Sequence, residues 1–110
     1  MPDNPVTDIT VQAFAAMRES DAVYTLLDVR EADEIAICAF DDSLNIPMQQ
    51  TPANLDKLPG VGTLVVVCHM GQRSAQVAAW LRQNGFPNAV NLAGGIDAWA
   101  REVDNDFRIY

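Results

Sequence analysis

The 110 residues carry 49% hydrophobic and 20% charged side chains, a balance that excludes the disordered and fibrous classes and suits one compact domain, residues 1–110, with a core over about 8–103. The formal net charge of −8 disfavours contact with nucleic acid phosphates, so any anion bound here must meet a local positive site. The apolar run Leu64-Val65-Val66-Val67-Cys68 falls far short of the ~20 residues that span a bilayer, and Met1-Pro2-Asp3-Asn4-Pro5 lacks the basic and apolar regions of a secretory signal, which predicts a cytoplasmic protein without a membrane partner.

Along the chain, Asp8-Ile9-Thr10 followed by Val11, Phe14, Ala15 and Met17 predicts a capped first helix with apolar residues three and four apart. Tyr24-Thr25-Leu26-Leu27-Asp28-Val29 reads as a short strand. Arg30 to Ala36 suits a brief helix, and Leu44-Asn45-Ile46 a second short strand that Pro47 ends. Pro52, after Thr51, opens another helix through Leu58, and Pro59-Gly60-Val61-Gly62 forms a turn. Leu64 to Val67 is apolar on both faces and rich in β-branched residues, as a central parallel strand covered by helices on both sides should be. Ser74 to Asn84 predicts a helix with Val77, Ala78 and Leu81 on one face, stopped by Gly85. A last strand, Ala89-Val90-Asn91-Leu92, leads through Gly94-Gly95 to a closing helix around Ile96 to Glu102. Alternating strands and helices imply an α/β fold with a mainly parallel sheet and right-handed crossovers. In such sheets the site lies at the carboxyl ends of the strands, where Cys68 falls.

Cys68-His69-Met70-Gly71-Gln72-Arg73-Ser74 places a cysteine at the end of a buried strand, an arginine after four residues, and then a helix. Backbone N–H groups of the loop and of the helix N-terminus can converge on the sulfur as an anion nest. Such surroundings and a nearby cation lower a thiol from its free value of ~8.5 and make a nucleophile at neutral pH. The plainer reading is a buried core cysteine, since cysteine is among the most buried residue types. Gly71 for a tight turn, Arg73 as a fixed positive fork and Ser74 as a helix cap favour the functional reading.

These residues resemble the rhodanese-like sulfurtransferase family. The loop from Cys68 to Ser74 matches its active loop, Leu27-Asp28-Val29-Arg30-Glu31 its Asp-x-Arg strand end, Asn45-Ile46-Pro47 its third-strand signature, and Asn91 to Trp99 its glycine pair and tryptophan. The likeness runs from about Ile9 to Trp99 in four ordered motifs. It implies a doubly wound, mainly parallel five-stranded sheet with helices on both faces. It also implies that Cys68 takes sulfane sulfur from a donor such as thiosulfate, becomes a persulfide, and passes the outer sulfur to cyanide or a thiol in a ping-pong cycle. Loop amides would cradle the persulfide, and Arg73 would orient the loop or the anionic donor. Related phosphatases and arsenate reductases place five residues between cysteine and arginine, where this chain has four; the tighter loop disfavours a tetrahedral oxyanion substrate. A partner-fed sulfur-relay module with little use for thiosulfate is the main alternative, and a redox or arsenate-reductase-like enzyme a lesser one. A regulatory module without chemistry ranks last, because Cys68 is retained.

Several residues carry two readings. Asp28 and Arg30 either hold the active loop or form a strand-end ion pair, the second being preferred; His69 is a side chain of the substrate mouth rather than a proton carrier. Cys38 stands where many members of that family have a Gly-His-Ile-Pro-Gly-Ala turn, and is read as a small half-buried hydrophobe rather than a thiol that resolves Cys68. Trp80 and Trp99 fill or edge the core, and Asp41-Asp42 and Asp104-Asn105-Asp106 are solvated turns. With neither Cys-x-x-Cys nor paired histidines, and with His69 the lone histidine, no metal and no cofactor are expected.

Overall fold

A computed structural model describes residues 7–110. Thr63–Val67 (β4) forms the centre of a parallel sheet, with Tyr24–Asp28 (β2) on one side and Ala89–Leu92 (β5) on the other. Asp8–Ile9 (β1) flanks β5 and Ser43–Asn45 (β3) flanks β2, giving the order β1-β5-β4-β2-β3. All four pairings are parallel. Connections of this kind require helical crossovers, supplied by Val11–Arg18 (α1), Ala32–Ile35 (α2), Gln72–Gln83 (α3), Gly95–Glu102 (α4) and a 3₁₀ stretch at Met48–Lys57.

The continuous apolar run of β4 follows from its place. Leu64, Val66 and Cys68 point to one layer with Val77, Ala78 and Leu81 of α3. Val65 and Val67 point to the other with Phe14 of α1 and Ile96 and Trp99 of α4. The period of two thus puts Cys68 on the α3 side. From β2 the chain moves outward to β3, and from β4 it moves the other way to β5. The crevice between these two departures is the switch point of the sheet, and the register pairs Asp28 with Val67 there.

The sequence-based elements shift in four places. Asp8-Ile9 is an edge strand rather than the lead-in to α1; Thr10 alone caps that helix, its side chain accepting from Ala13 N at 3.0 Å. Helix α2 is shorter than expected because Arg30 is buried in the core and Glu31 begins the helix. The Pro52 helix starts earlier, at Met48, and stays 3₁₀ with a break at Asn54. Helix α3 begins at Gln72, two residues before Ser74, with Gly71 at its N-cap; Phe86 N closes its far end on Leu81 O past Gly85, whose φ is +99°.

The loop after β4 is fastened to α4. Cys68 O and His69 O accept from Ile96 N at 3.0 Å and Asp97 N at 2.9 Å, so the first-turn donors of α4 are met by the loop instead of a side-chain cap. A Cβ on Gly95 would lie 2.4 Å from Cys68 O and 2.7 Å from His69 O, and its φ is +61°. Only glycine fits there. Gly95→Ala is therefore expected to destabilise the fold by about 2 kcal/mol or more, whereas Gly60→Ala, with nothing within 4 Å, should leave stability near the native value; urea unfolding of the two variants makes the comparison.

Candidate active site

Cys68 is 1% exposed, and its sulfur meets three donors. Gly71 N lies 3.1 Å away, Ser74 N 3.4 Å and Ser74 Oγ 3.3 Å. Two are backbone groups at the start of α3, so the sulfur occupies the anion position of a helix N-terminus. Burial pushes the thiol up, but the Ser74 hydroxyl and the amides of Ser74, Gly71 and Met70 outweigh it, and the net effect is a lowered thiol pKa. A cavity of about 130 Å³ opens at the sulfur, lined by Cys68, His69, Met70, Gln72 and Arg73. At ~30 Å³ per water it holds about four waters or one small solute.

Ser74 does not cap α3. It sits in the first turn, fully buried, with its hydroxyl turned inward and its one proton shared between Cys68 Sγ and Asn91 Oδ1, the latter at 2.5 Å. Asn91 Nδ2 in turn donates to Asp8 Oδ1 at 3.0 Å. A buried polar chain thus runs from the sulfur to the sheet edge. In the sequence Asn91 is a strand residue at the head of the glycine-pair motif; the signal of its further role is a polar side chain in a strand whose neighbours are all apolar.

Arg73 pairs with a carboxylate of α2. Each of its two terminal nitrogens donates one N–H to Glu34, Nη1 to Oε1 at 2.6 Å and Nη2 to Oε2 at 2.8 Å, so the guanidinium ties the loop to α2 and lines the cavity as a cation already matched by a carboxylate. The pair drives Glu34 from a usual 4.5 down to about 2, and the hydrogen bonds of Glu34 hold Arg73 above its ordinary range. Nothing local to Glu34 in the sequence marks it as the partner of Arg73, 39 residues away. Met70, 58% exposed, and Gln72, also exposed, edge the mouth.

Asp28 and Arg30 form a fully buried pair. Arg30 donates to both Asp28 oxygens, with Nη2 to Oδ2 at 2.8 Å, to Cys38 O at 2.7 Å, to Glu34 O at 3.3 Å and to Tyr110 Oη at 2.9 Å. Burial works against the charge on Arg30, but Asp28 and Tyr110 outweigh it and push the guanidinium further up. The side chain of Asp28 bonds to Arg30 and not to residues 68–73. The pair therefore organises the turn at Cys38 and the base of α2. Phe40, 5% exposed and packed on Phe14 and Trp99, anchors that turn.

The His69 ring lies flat on Tyr110, with centroids 3.8 Å apart and planes 8° apart. Its Nε2 is buried without a hydrogen-bond partner. Cys38 packs in the opposite layer from Cys68, with its thiol 3.5 Å from Arg108 O, and both cysteines are free. Trp99 is buried in the α1/α4 layer, while Trp80 on α3 edges a groove with Met48 and Pro52. The two rings do not form a stacking pair.

Ser74→Ala removes one donor to the sulfur, so the pH midpoint of Cys68 alkylation by iodoacetamide is expected to move upward; an unchanged midpoint would separate the hydroxyl from the thiol. A lowered carboxyl contributes stability above its unfolded pKa and loses it as pH falls through the folded one. The Glu34 contribution is thus expected to fade between pH 4.5 and about 2, and Glu34→Gln should flatten the acid limb of a plot of stability against pH.

The Rhodanese-like domain family matches residues 10–102. A sulfurtransferase of Allochromatium vinosum is 41% identical over 76 residues, covering 69% of this chain and 71% of that protein. The adenylyltransferase and sulfurtransferase MOCS3-2 of Zea mays is 35% identical over a match of 109 residues that covers 93% of this chain. The chain spans only 23% of that longer relative. Among solved structures, a rhodanese-related protein from Thermoplasma volcanium superposes with a TM-score of 0.80 at 31% identity, over 88% of this chain and 93% of that one. The human single-domain sulfurtransferase TSTD1 does so with 0.78 at 24% identity, over 91% and 98%, a likeness of fold. With the match running from the cap of α1 to the end of α4 and embracing the cysteine loop, the chain belongs to the rhodanese-like domain family.

Proposed function

We propose that this chain is a sulfurtransferase that carries sulfane sulfur as a persulfide on Cys68. The observation that carries the reading is the convergence of Gly71 N, Ser74 N and Ser74 Oγ on one buried sulfur at 3.1–3.4 Å. A thiolate stabilised in this way is a nucleophile, and the same donors can hold the terminal sulfur of a persulfide as it enters the nest.

The cycle balances in two displacements. The Cys68 thiolate attacks the outer sulfur of a donor, thiosulfate or a persulfide R–S–S⁻. The donor's S–S bond breaks and its electron pair leaves on sulfite or on the thiolate R–S⁻. Cyanide or an acceptor thiolate then attacks the outer sulfur of Cys68–S–S⁻, and the pair returns to Sγ. The product is thiocyanate or a new persulfide. No metal or redox cofactor enters either step.

A protein persulfide as donor is the second reading. It is supported by the ion pair that occupies both terminal nitrogens of Arg73 and by the net charge of −8, neither of which favours capture of a free dianion. Phosphatase chemistry is disfavoured by the four-residue spacing from Cys68 to Arg73.

Incubation with excess donor should add one sulfur to the intact mass, and cyanide should remove it as thiocyanate. Cys68→Ser is expected to abolish the gain and Cys38→Ser to keep most of it; equal loss in both variants would exclude a single nucleophile.

A further inference from the structure

The segment after α4 returns to the active loop. Phe107 packs on Phe40 at 4.9 Å between centroids, Arg108 O lies 3.5 Å from the thiol of Cys38, and Tyr110 reaches the mouth. There its ring covers His69. Its hydroxyl donates to Glu34 Oε2 at 2.9 Å and accepts from Arg30 Nη1 at 2.9 Å.

The Glu34 carboxylate is thereby fully engaged. Oε1 accepts from Arg73 Nη1 and from Glu31 N at 3.2 Å, and Oε2 from Arg73 Nη2 and Tyr110 Oη. Tyr110 is the one of these partners that binds the far side of the carboxylate and at the same time packs on a loop residue. It fixes where Glu34 stands relative to the loop. Arg73 is the only cation among the residues lining the cavity, and Arg30 behind it is buried and committed to Asp28. The guanidinium of the cavity wall and the buried one of Arg30 are therefore both matched by carboxylates.

We propose that Tyr110 is a positioning residue that sets donor selectivity: by packing on His69 and steadying Glu34 against Arg73, it keeps the guanidinium from dianionic donors and leaves the site suited to carbon-bound persulfides. The inference rests on the sulfurtransferase reading. A sulfonate-bearing donor such as thiosulfate needs an unpaired cation at the mouth to offset two negative charges. A persulfide on a carbon skeleton presents its outer sulfur with at most one charge and can rest its apolar part on exposed Met70.

The test is steady-state kinetics with two donors, thiosulfate and glutathione persulfide, for native protein, Tyr110→Phe, Tyr110→Ala and Glu34→Gln. Releasing Arg73 by Glu34→Gln or Tyr110→Ala is expected to lower KM for thiosulfate about tenfold, the scale of one hydrogen bond to a charged group. Neither kcat nor the persulfide parameters should move comparably. Tyr110→Phe, which keeps the stack, should show a smaller fall in the same direction. Adding Arg73→Ala to Glu34→Gln should erase the gain. A loss of kcat with both donors would mark Tyr110 as merely structural and overturn the proposal, as would an unchanged donor ratio in Glu34→Gln, which leaves the ring in place if Tyr110→Ala fails to fold. Native protein that gains no sulfur from either donor would overturn the sulfurtransferase reading itself, and the proposal with it.

Discussion

The active loop keeps its shape because two of its carbonyls lie against a helix start that has no side chain in the way. Cys68 O and His69 O take the Ile96 and Asp97 amides only because Gly95 lacks a Cβ. Once those carbonyls are fixed, the amides that follow must turn back over the sulfur. Gly71 completes that turn at φ +95°, close enough to Gly94 that a Cβ would stand 2.9 Å from its nitrogen. Two helices thus share one loop: α4 takes its carbonyls and α3 offers it donors. The orphan groups of one helix start are used for structure and those of the other for chemistry.

A second constraint lies beneath the loop. Removing Asp28 and Arg30 from water is costly, and such a pair is tolerated only when its remaining donors are met. Arg30 meets them with Cys38 O, Glu34 O and Tyr110 Oη, and in doing so gathers the turn after α2, α2 itself and the segment after α4 around one cation. Glu34 carries the connection onward to Arg73. A continuous path of charge-assisted bonds therefore joins the end of β2 to the start of α3 without passing through the sulfur.

The sequence made the strand-and-helix order legible because β4 is apolar on both faces and α3 is not, and the period changes at Cys68. The edge strand at Asp8-Ile9 escaped because two residues cannot display an alternation, and its pairing with β5 is set by tertiary context. The 3₁₀ stretch escaped because Pro52 reads as a helix start although the turn begins at Met48. At the site, the turn at Gly71 was legible from local spacing, and the glycine pair only through the family resemblance. Ser74 was found with the wrong task, since a serine near a helix start looks like a cap until Gly71 is seen to fill that place. Glu34 and Tyr110 lie 39 and 76 residues from the partners they meet. Nothing in their neighbourhoods signals a contact that only the folded chain creates.

Cys68 hangs from β4, whose backbone is paired on both edges and whose side chains are covered on both faces. Amides in such a strand exchange with solvent through the rarest, most global openings. The stretch beyond α4, which backs the His69 ring of the mouth, is held instead by Phe107 and by the few polar contacts of Arg108 and Tyr110. The Cys68 sulfur and the segment that backs His69 thus stand at opposite ends of the molecule's hierarchy of openings. That segment can part without loosening the strand that holds the sulfur.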